Sequence, residues 1–181
     1  MELALLILSL LLSGCSSRTE ERLLERRQEF ASAPLCFTAR VSVLSEGAVW
    51  EFAGEVSAAG EEGELTLLAP EELREVRVSW GESSRLSYDG AVLVLPSLGT
   101  EQSPVSALPL LCRVLQRGYL LRYVQSGGCI TAFYGLEDGA ELSIGYDEAL
   151  CPCFAELFVN GERELWMEIS DFTVGTEQRN G

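Results

Sequence analysis

Apolar and polar residues alternate with a period of two along most of the chain from residue 37 onward. Alternation of this kind is typical of strands that bury one face of a β-sheet. It extends over residues 37–43, 50–56, 76–80, 142–146 and 165–169. Turn signals lie between these stretches, among them Asn160-Gly161, where both residue types tolerate positive φ. From the residue pattern alone we expect about ten antiparallel strands, arranged as a sandwich or a barrel.

Residues 103–118 follow a helical period instead. Four apolar residues fall on one helix face at i, i+3, i+4 and i+7, namely Leu108, Leu111, Cys112 and Leu115. Pro109 fits the first turn of such a helix, and Gly118 fits its end. We therefore predict a helix over residues 107–117 that covers an open end or face of the sheet.

A shorter helix is predicted near the start of the chain, where residues 16–33 read as a polar tether that runs into a helix. Thr19 is the expected N-cap, with Glu20 and Glu21 in the first turn, where carboxylates suit the helix dipole. The apolar stripe expected to pack against the sheet consists of Leu23, Leu24, Phe30 and Ala31.

Composition narrows the function classes. The 181 residues include 28 acids and 13 bases, which gives a net charge of −15, while 47% hydrophobic residues indicate a globular chain. This field repels nucleic acid, which we exclude as a partner. Histidine is absent, so Ser-His-Asp and Cys-His nucleophile pairs and histidine-ligated zinc are excluded. We predict a non-catalytic protein without a cofactor or metal.

An apolar run over residues 3–12 is too short to span a bilayer, which takes about 20 residues, but it matches the core of a secretory signal. The following Leu12-Ser13-Gly14-Cys15 resembles the bacterial lipobox. That resemblance implies cleavage before Cys15, a diacylglyceryl group on its thiol and acylation of its amine. The protein would then be lipid-anchored on the extracytoplasmic face of the cell membrane. The alternative is a buried N-terminal helix of a cytosolic protein, since Met1-Glu2 lacks the basic residues of a signal.

The order of elements resembles the LolA-like lipoprotein-sorting fold. The resemblance rests on "LTLLAPEEL" leading into "REVRVSW" and "SRLSYDGAVLVL", on the helix in "SPVSALPLLCRVL", and on the closing hairpin "AELFVNGERELWMEISDF". The helix and hairpin look most like the germination lipoproteins (GerS-type) of spore-forming bacteria. The implied fold is mainly β, a curved and incompletely closed antiparallel half-barrel with flanking helices, one of which covers the concave face. The expected organisation is a leader (1–14), a tether (15–19), a LolA-like domain (20–174) and a polar tail (175–181).

We predict a binding module that holds acyl chains or lipid in an apolar concave cavity; the alternative is a protein-interaction partner or regulator of a cell-envelope enzyme. In sorting members the concave face holds acyl chains, and in the germination type the domain binds a cell-wall hydrolase. Candidate residues for an apolar concave lining are Trp50, Phe52, Trp80, Tyr88, Tyr123 and Trp166. The alternative for each is a place in an ordinary core.

Five cysteines remain beyond Cys15: Cys36, Cys112, Cys129, Cys151 and Cys153. A bond between Cys129 and one member of the Cys151–Cys153 pair is favoured over a metal site, and reduced, buried thiols are favoured over both. The acidic pairs Glu51 with Glu55 and Asp147 with Glu148 allow an enzyme in principle, but solvated surface acids explain them more simply.

Overall fold

The computed structural model describes residues 18–45, 47–95, 106–136 and 139–175. The predicted leader (1–14), Cys15 and residues 176–181 of the predicted tail lie outside the described residues. Within the described segments the strands are β1 (Leu35–Ser45), β2 (Ala48–Ala59), β3 (Glu62–Ala69), β4 (Arg77–Trp80), β5 (Ser84–Tyr88), β6 (Ala91–Leu95), β7 (Tyr119–Ser126), β8 (Cys129–Gly135), β9 (Glu141–Tyr146), β10 (Pro152–Val159) and β11 (Glu162–Val174). Helix α1 is described over residues 18–32, and α2 spans Ala107–Arg117. A short 3-10 helix, Glu71–Leu73, connects β3 to β4.

All of these strands belong to one antiparallel sheet, in the order β6-β5-β4-β3-β2-β1-β11-β10-β9-β8-β7. The first six strands run outward from β1, and the last five run back from β7 until β11 pairs with β1. Strands β6 and β7 are the two edges, so the curved sheet does not close. This confirms the predicted half-barrel and corrects the sandwich and closed-barrel alternatives, which periodicity alone could not separate from an open sheet.

The inner face of the sheet is defined by strand register, because residues directly opposite each other on paired strands share a face. One row crosses five adjacent strands, and each of its members is 0% exposed: Val41, Met167, Ala155, Ile144 and Ala132. On β1 the inner residues are Leu35, Phe37, Ala39, Val41 and Val43, all buried. The core therefore lies against the inner side of the central strands.

Helix α2 has the bounds that the sequence predicts, and its predicted apolar face is buried. The backbone N–H of Gly118 donates to the carbonyl oxygen of Val114 at 2.8 Å and ends the helix. A Cβ at Gly118 would lie 2.9 Å from Tyr134 Cδ1, so this end of α2 rests on β8. The helix thus covers the inner face of the sheet, as predicted.

Helix α1 also lies on the inner face, where the Phe30 and Phe172 rings meet edge to face at 5.3 Å. Leu23 and Phe30 are buried, but Leu24 is 36% exposed, so the predicted stripe is narrower than expected. Arg18 is already helical, so the prediction of Thr19 as N-cap is wrong and the helix reaches into the predicted tether.

Two hydrogen bonds involve polar groups of this region. Arg27 Nη1 donates to the carbonyl oxygen of Gly118 at 2.6 Å, which joins α1 to the end of α2. The buried hydroxyl groups of Tyr134 and Tyr146 share a second hydrogen bond, of 2.9 Å. Burial raises the pKa of both tyrosines, that of Tyr146 well above 10.0. Burial also raises the pKa of the Cys112 thiol from 9.0 to about 12.

These raised pKa values predict a loss of stability in alkali. The unfolded chain releases the Cys112 proton near its ordinary pKa of 9.0, whereas the folded chain keeps it until about pH 12. Above pH 9 the unfolded state therefore binds fewer protons, and the free energy of unfolding falls by up to about 1.4 kcal/mol per pH unit for this group. The buried tyrosines add to the decline above their ordinary pKa of 10.0.

Urea unfolding at about pH 8 and about pH 10 measures this slope. We expect Cys112→Ala to be less stable than wild type at the lower pH, because it leaves a cavity, but to lose less stability between the two pH values. Cys129→Ala, at an exposed thiol, serves as the control and should keep the wild-type slope. An unchanged slope in Cys112→Ala would contradict the assignment.

Candidate functional site

The candidate site lies on the inner face of strands β2–β6, which we call the first wing. On β2, Trp50 lies opposite Val43 and Phe52 lies opposite Val41, so both aromatic residues face inward. Val43 and Val41 are buried, yet Trp50 is 59% exposed and Phe52 is half-buried. The helices therefore leave this end of β2 open.

The inner face continues outward to β6. Trp80 lies opposite Gly63, and Leu86 lies opposite both Val78 and Leu93. Tyr88 follows Leu86 by two positions on β5 and so shares its face. Exposure increases toward the edge, since Trp80 and Leu86 are half-buried, Tyr88 is 49% exposed and Leu93 is 59% exposed.

The two ends of the first wing are connected by apolar residues on the strands between them. Leu67 on β3 and Val76 just before β4 lie between Phe52 and Tyr88, and each is 7% exposed. We define the wing surface as the inward-facing set formed by Trp50, Phe52, Trp80, Leu86, Tyr88 and Leu93. Trp50, Tyr88 and Leu93 of this set are exposed, Phe52, Trp80 and Leu86 are half-buried, and the inward-facing residues between them on β3 and β4 are buried.

One contact fixes the position of the Trp80 ring on this surface. A Cβ at Gly63 would lie 2.2 Å from Trp80 Cζ2, so the indole occupies the space that any side chain at position 63 would need. Gly63 is therefore required by the close approach of the Trp80 ring.

The structure does not bring all six predicted lining residues together. Trp50, Phe52, Trp80 and Tyr88 belong to the wing surface, whereas Tyr123 lies on β7 at the other edge of the sheet, opposite Ala132. Trp166 lies on the outer face, opposite Ser42 and Glu156, and stacks on Phe154 at 5.4 Å. The placement of Trp166 in the concave lining is corrected: its neighbours Leu165 and Met167 point inward, so the strand alternation directs it outward.

Sequence reasoning missed the exposed apolar residues of β6. Val92, Leu93 and Val94 are 64%, 59% and 63% exposed. A short continuous apolar run usually indicates a strand buried on both faces. Here the run forms an edge strand instead, and its position in the sheet depends on long-range pairing that no local signal reports.

Two open grooves lie at the other edge of the sheet, between α1 and β7. One, of ≈ 470 Å³, is lined by Thr19, Glu20, Leu120, Leu121, Arg122, Tyr123 and Gln125. The other, of ≈ 370 Å³, is lined by Arg18, Thr19, Arg22 and Gln125. Neither groove is lined by a residue of α2.

The described residues offer little for catalysis or metal binding. Among them, no group of three or more His, Cys, Asp or Glu side chains is placed to hold a metal ion. The carboxylate of Asp147 accepts hydrogen bonds from the backbone N–H groups of Ala149 (2.9 Å) and Cys151 (2.8 Å), so it stabilises a turn. Glu51 and Glu148 are exposed.

The five cysteines of the described chain are free thiols. Cys112 is buried, Cys129 is exposed, and the remaining three are partly buried. The Sγ of Cys151 lies 3.5 Å from Arg26 Nη2, and the Sγ of Cys153 lies 3.3 Å from the carbonyl oxygen of Gly145. Neither helix, over its described residues, is long and apolar enough to cross a membrane.

Comparison with known proteins identifies similar folds only among solved structures. No protein-family model and no curated protein matches the chain. The chain is similar to an uncharacterized conserved protein from Thermus thermophilus, with 13% identity and a TM-score of 0.52 over 87% of this chain and 88% of that one. This likeness shows a shared fold alone.

Two further solved structures are less similar. One is a LolA superfamily protein from Nitrosomonas europaea, with 11% identity and a TM-score of 0.43 over 86% of this chain and 93% of that one. The other is a putative outer membrane lipoprotein-sorting protein domain from Vibrio parahaemolyticus, with 10% identity and a TM-score of 0.44 over 88% and 93%.

Proposed function

We propose that this protein is a lipid-anchored, extracytoplasmic binding module without catalytic activity, and that its wing surface binds an apolar segment of a protein partner. The observation that carries this proposal is the exposure of Trp50, Tyr88 and Leu93 on the inner face of the first wing. Exposed apolar patches of this kind mark interaction sites, and aromatic residues dominate the energetics of protein interfaces.

The openness of the wing surface favours a protein partner over an enclosed acyl chain. Pockets for small ligands bury about 70–90% of the ligand surface. Trp50, Tyr88 and Leu93 are too exposed for an enclosed pocket, since each is about half or more exposed. An acyl chain is the second candidate ligand, since the same aromatic and aliphatic side chains would contact it. The net charge of −15 would steer a basic partner toward the protein.

The absence of histidine from the sequence supports a non-catalytic role. The Asp147 carboxylate is occupied by two backbone N–H groups, and Glu51 lies exposed on the outer side of β2. An acid–base pair would need two carboxylates converging on one site. Instead, the Asp147 carboxylate stabilises a turn, and the Glu51 carboxylate lies on the solvated outer face of β2.

The anchor is proposed from Leu12-Ser13-Gly14-Cys15, which resembles a lipobox and ends three residues before the first described residue of α1, Arg18. Two or three acyl chains on one residue hold a protein durably on a bilayer without a transmembrane helix. With so short a tether, the end of α1 that lies beside β7 would face the membrane, and the first wing would extend from the opposite edge of the sheet.

The anchor is tested by intact-mass analysis of the chain extracted from a bacterial membrane fraction. We expect the mature wild-type chain to begin at Cys15 and to carry acyl chains. Cys15→Ser should keep residues 1–14 and lack the lipid, because no thiol remains to be modified. Cys129→Ser, at an exposed thiol, should be processed like wild type. A wild-type chain with residues 1–14 attached and Cys15 unmodified would contradict the anchor.

The ligand is tested by native mass spectrometry of the full chain released from membranes in detergent. We expect a stoichiometric polypeptide on wild type, and at least about tenfold less of it on the double variant Trp50→Ser/Tyr88→Ser, since aromatic anchors carry most interface energy. Leu121→Ser/Val124→Ser, at exposed apolar positions on β7, is the matched control and should bind normally. A bound mass that matches a lipid would support an acyl chain as the ligand. Equal binding of the polypeptide to wild type and to Trp50→Ser/Tyr88→Ser would contradict the wing surface as the binding site.

A further inference from the structure

We propose that β6 pairs with β6 of a second copy of this chain, antiparallel and centred on Leu93, so that two half-barrels share one continuous sheet. The two edges of the sheet differ, and within the described segments only β6 lacks the features that protect an edge strand. This contact uses the backbone of β6 and its side chains, and it does not depend on the ligand proposed above.

Strand β6 presents an unprotected edge. Its five residues, AVLVL, carry no charge and no proline. Its register with β5 continues without a bulge from Ser84 opposite Leu95 to Tyr88 opposite Ala91. Natural edge strands are usually protected by charged residues, proline, bulges or a covering element. Every second residue of β6 therefore offers an N–H and a C=O that pair with no other described strand, beside exposed apolar side chains.

The opposite edge, β7, has several of these protective features. Its register with β8 is interrupted between Leu120 and Arg122. Arg122 Nη2 donates to Glu141 Oε1 at 2.8 Å, which places a charged pair along the strand. Thr19 of α1 donates to the side-chain oxygen of Gln125 at 3.5 Å, so α1 reaches the end of β7. Because β7 is protected and β6 is not, β6 is the edge strand that is available to pair with a second copy.

The sequence of β6 is complementary to itself in an antiparallel arrangement. With the two-fold axis at Leu93, Val92 lies opposite Val94 of the second copy, and Leu93 lies opposite Leu93. Val92 and Val94 lie opposite Ser87 and Arg85 of β5, which places both valines on the outer face. Each valine would therefore meet a valine on the outer side, the leucines would meet on the inner side, and no like charges would be directly opposed.

The size of the contact sets the strength expected of the dimer. Val92, Leu93 and Val94 are each about 60% exposed and offer roughly 300 Å² per copy, so the contact buries roughly 600–700 Å² in total, the size of a weak and transient contact. The dimer should therefore be weak, with a dissociation constant on the order of 100 µM. Two copies of net charge −15 repel each other, so added salt should strengthen the association. Confinement of both copies to one membrane would raise their effective concentration.

Sedimentation equilibrium of the full chain in a density-matched detergent tests the proposal. We expect a reversible monomer–dimer equilibrium that tightens as NaCl is raised. Val92→Lys and Val94→Lys each place a charge on the outer side of β6. Each should weaken the dimer at least about tenfold, because lysine on an edge strand disfavours pairing with another strand. Val124→Lys, on the β7 edge with Val124 54% exposed, is the matched control and should dimerise like wild type.

A second measurement does not depend on the lysine variants. Leu93→Cys should crosslink between copies with a short bis-maleimide, which adds one thioether at each thiol, in excess of the wild-type background from native thiols such as Cys129. Val124→Cys should not exceed that background. A chain that stays monomeric at about ten times the expected dissociation constant, or a dimer that Val124→Lys disrupts and the β6 variants do not, would overturn the proposal.

Discussion

The pairing of β1 with β11 holds the two halves of this protein in one sheet. Strand β1 pairs with β2 on one side and with β11 on the other, and its inner residues from Leu35 to Val43 are all buried. Because β11 lies more than a hundred residues after β1, this contact must be made against a large loop-closure entropy. Without it, the described strands before α2 and those after it would share no hydrogen-bonded ladder. The same pairing places β6 and β7 at the edges, far from each other in the strand order.

The features that the sequence predicted well are those with a local cause. The bounds of α2 follow from its apolar period, Pro109 and Gly118, and the hairpin at Asn160-Gly161 follows from two residues that adopt positive φ. The curved, unclosed sheet came from a resemblance in the order of elements. Strand order did not follow from local pattern, because the β1–β11 pairing is non-local. The side of Trp166 did follow from the alternation of its strand, and the interpretation that grouped it with the wing aromatics ignored that alternation.

The candidate site is a consequence of the open topology. The helices cover the inner face of the central strands, and the face that extends beyond them keeps Trp50, Tyr88 and Leu93 exposed. An alternating pattern marks a residue as inward-facing but does not say whether a helix covers it, so the sequence could not separate core from binding surface. The proposed pairing of β6 would cover part of Leu93, leave Trp50 and Tyr88 open, and place the wing surfaces of two copies side by side. A lipid anchor near α1 would place both wing surfaces on the side of the protein that faces away from the membrane.

The central claim is that the wing surface, and not the outer face, is the part of the protein that a ligand covers. Hydroxyl-radical footprinting of the full chain in native membranes, compared with the chain purified in detergent, tests this claim most directly. Trp50 and Tyr88 should oxidise readily after purification and be protected in the membrane, while Trp166 on the outer face should react equally in both. Equal oxidation of Trp50 and Tyr88 in both states, or protection of Trp166 alone, would contradict the account.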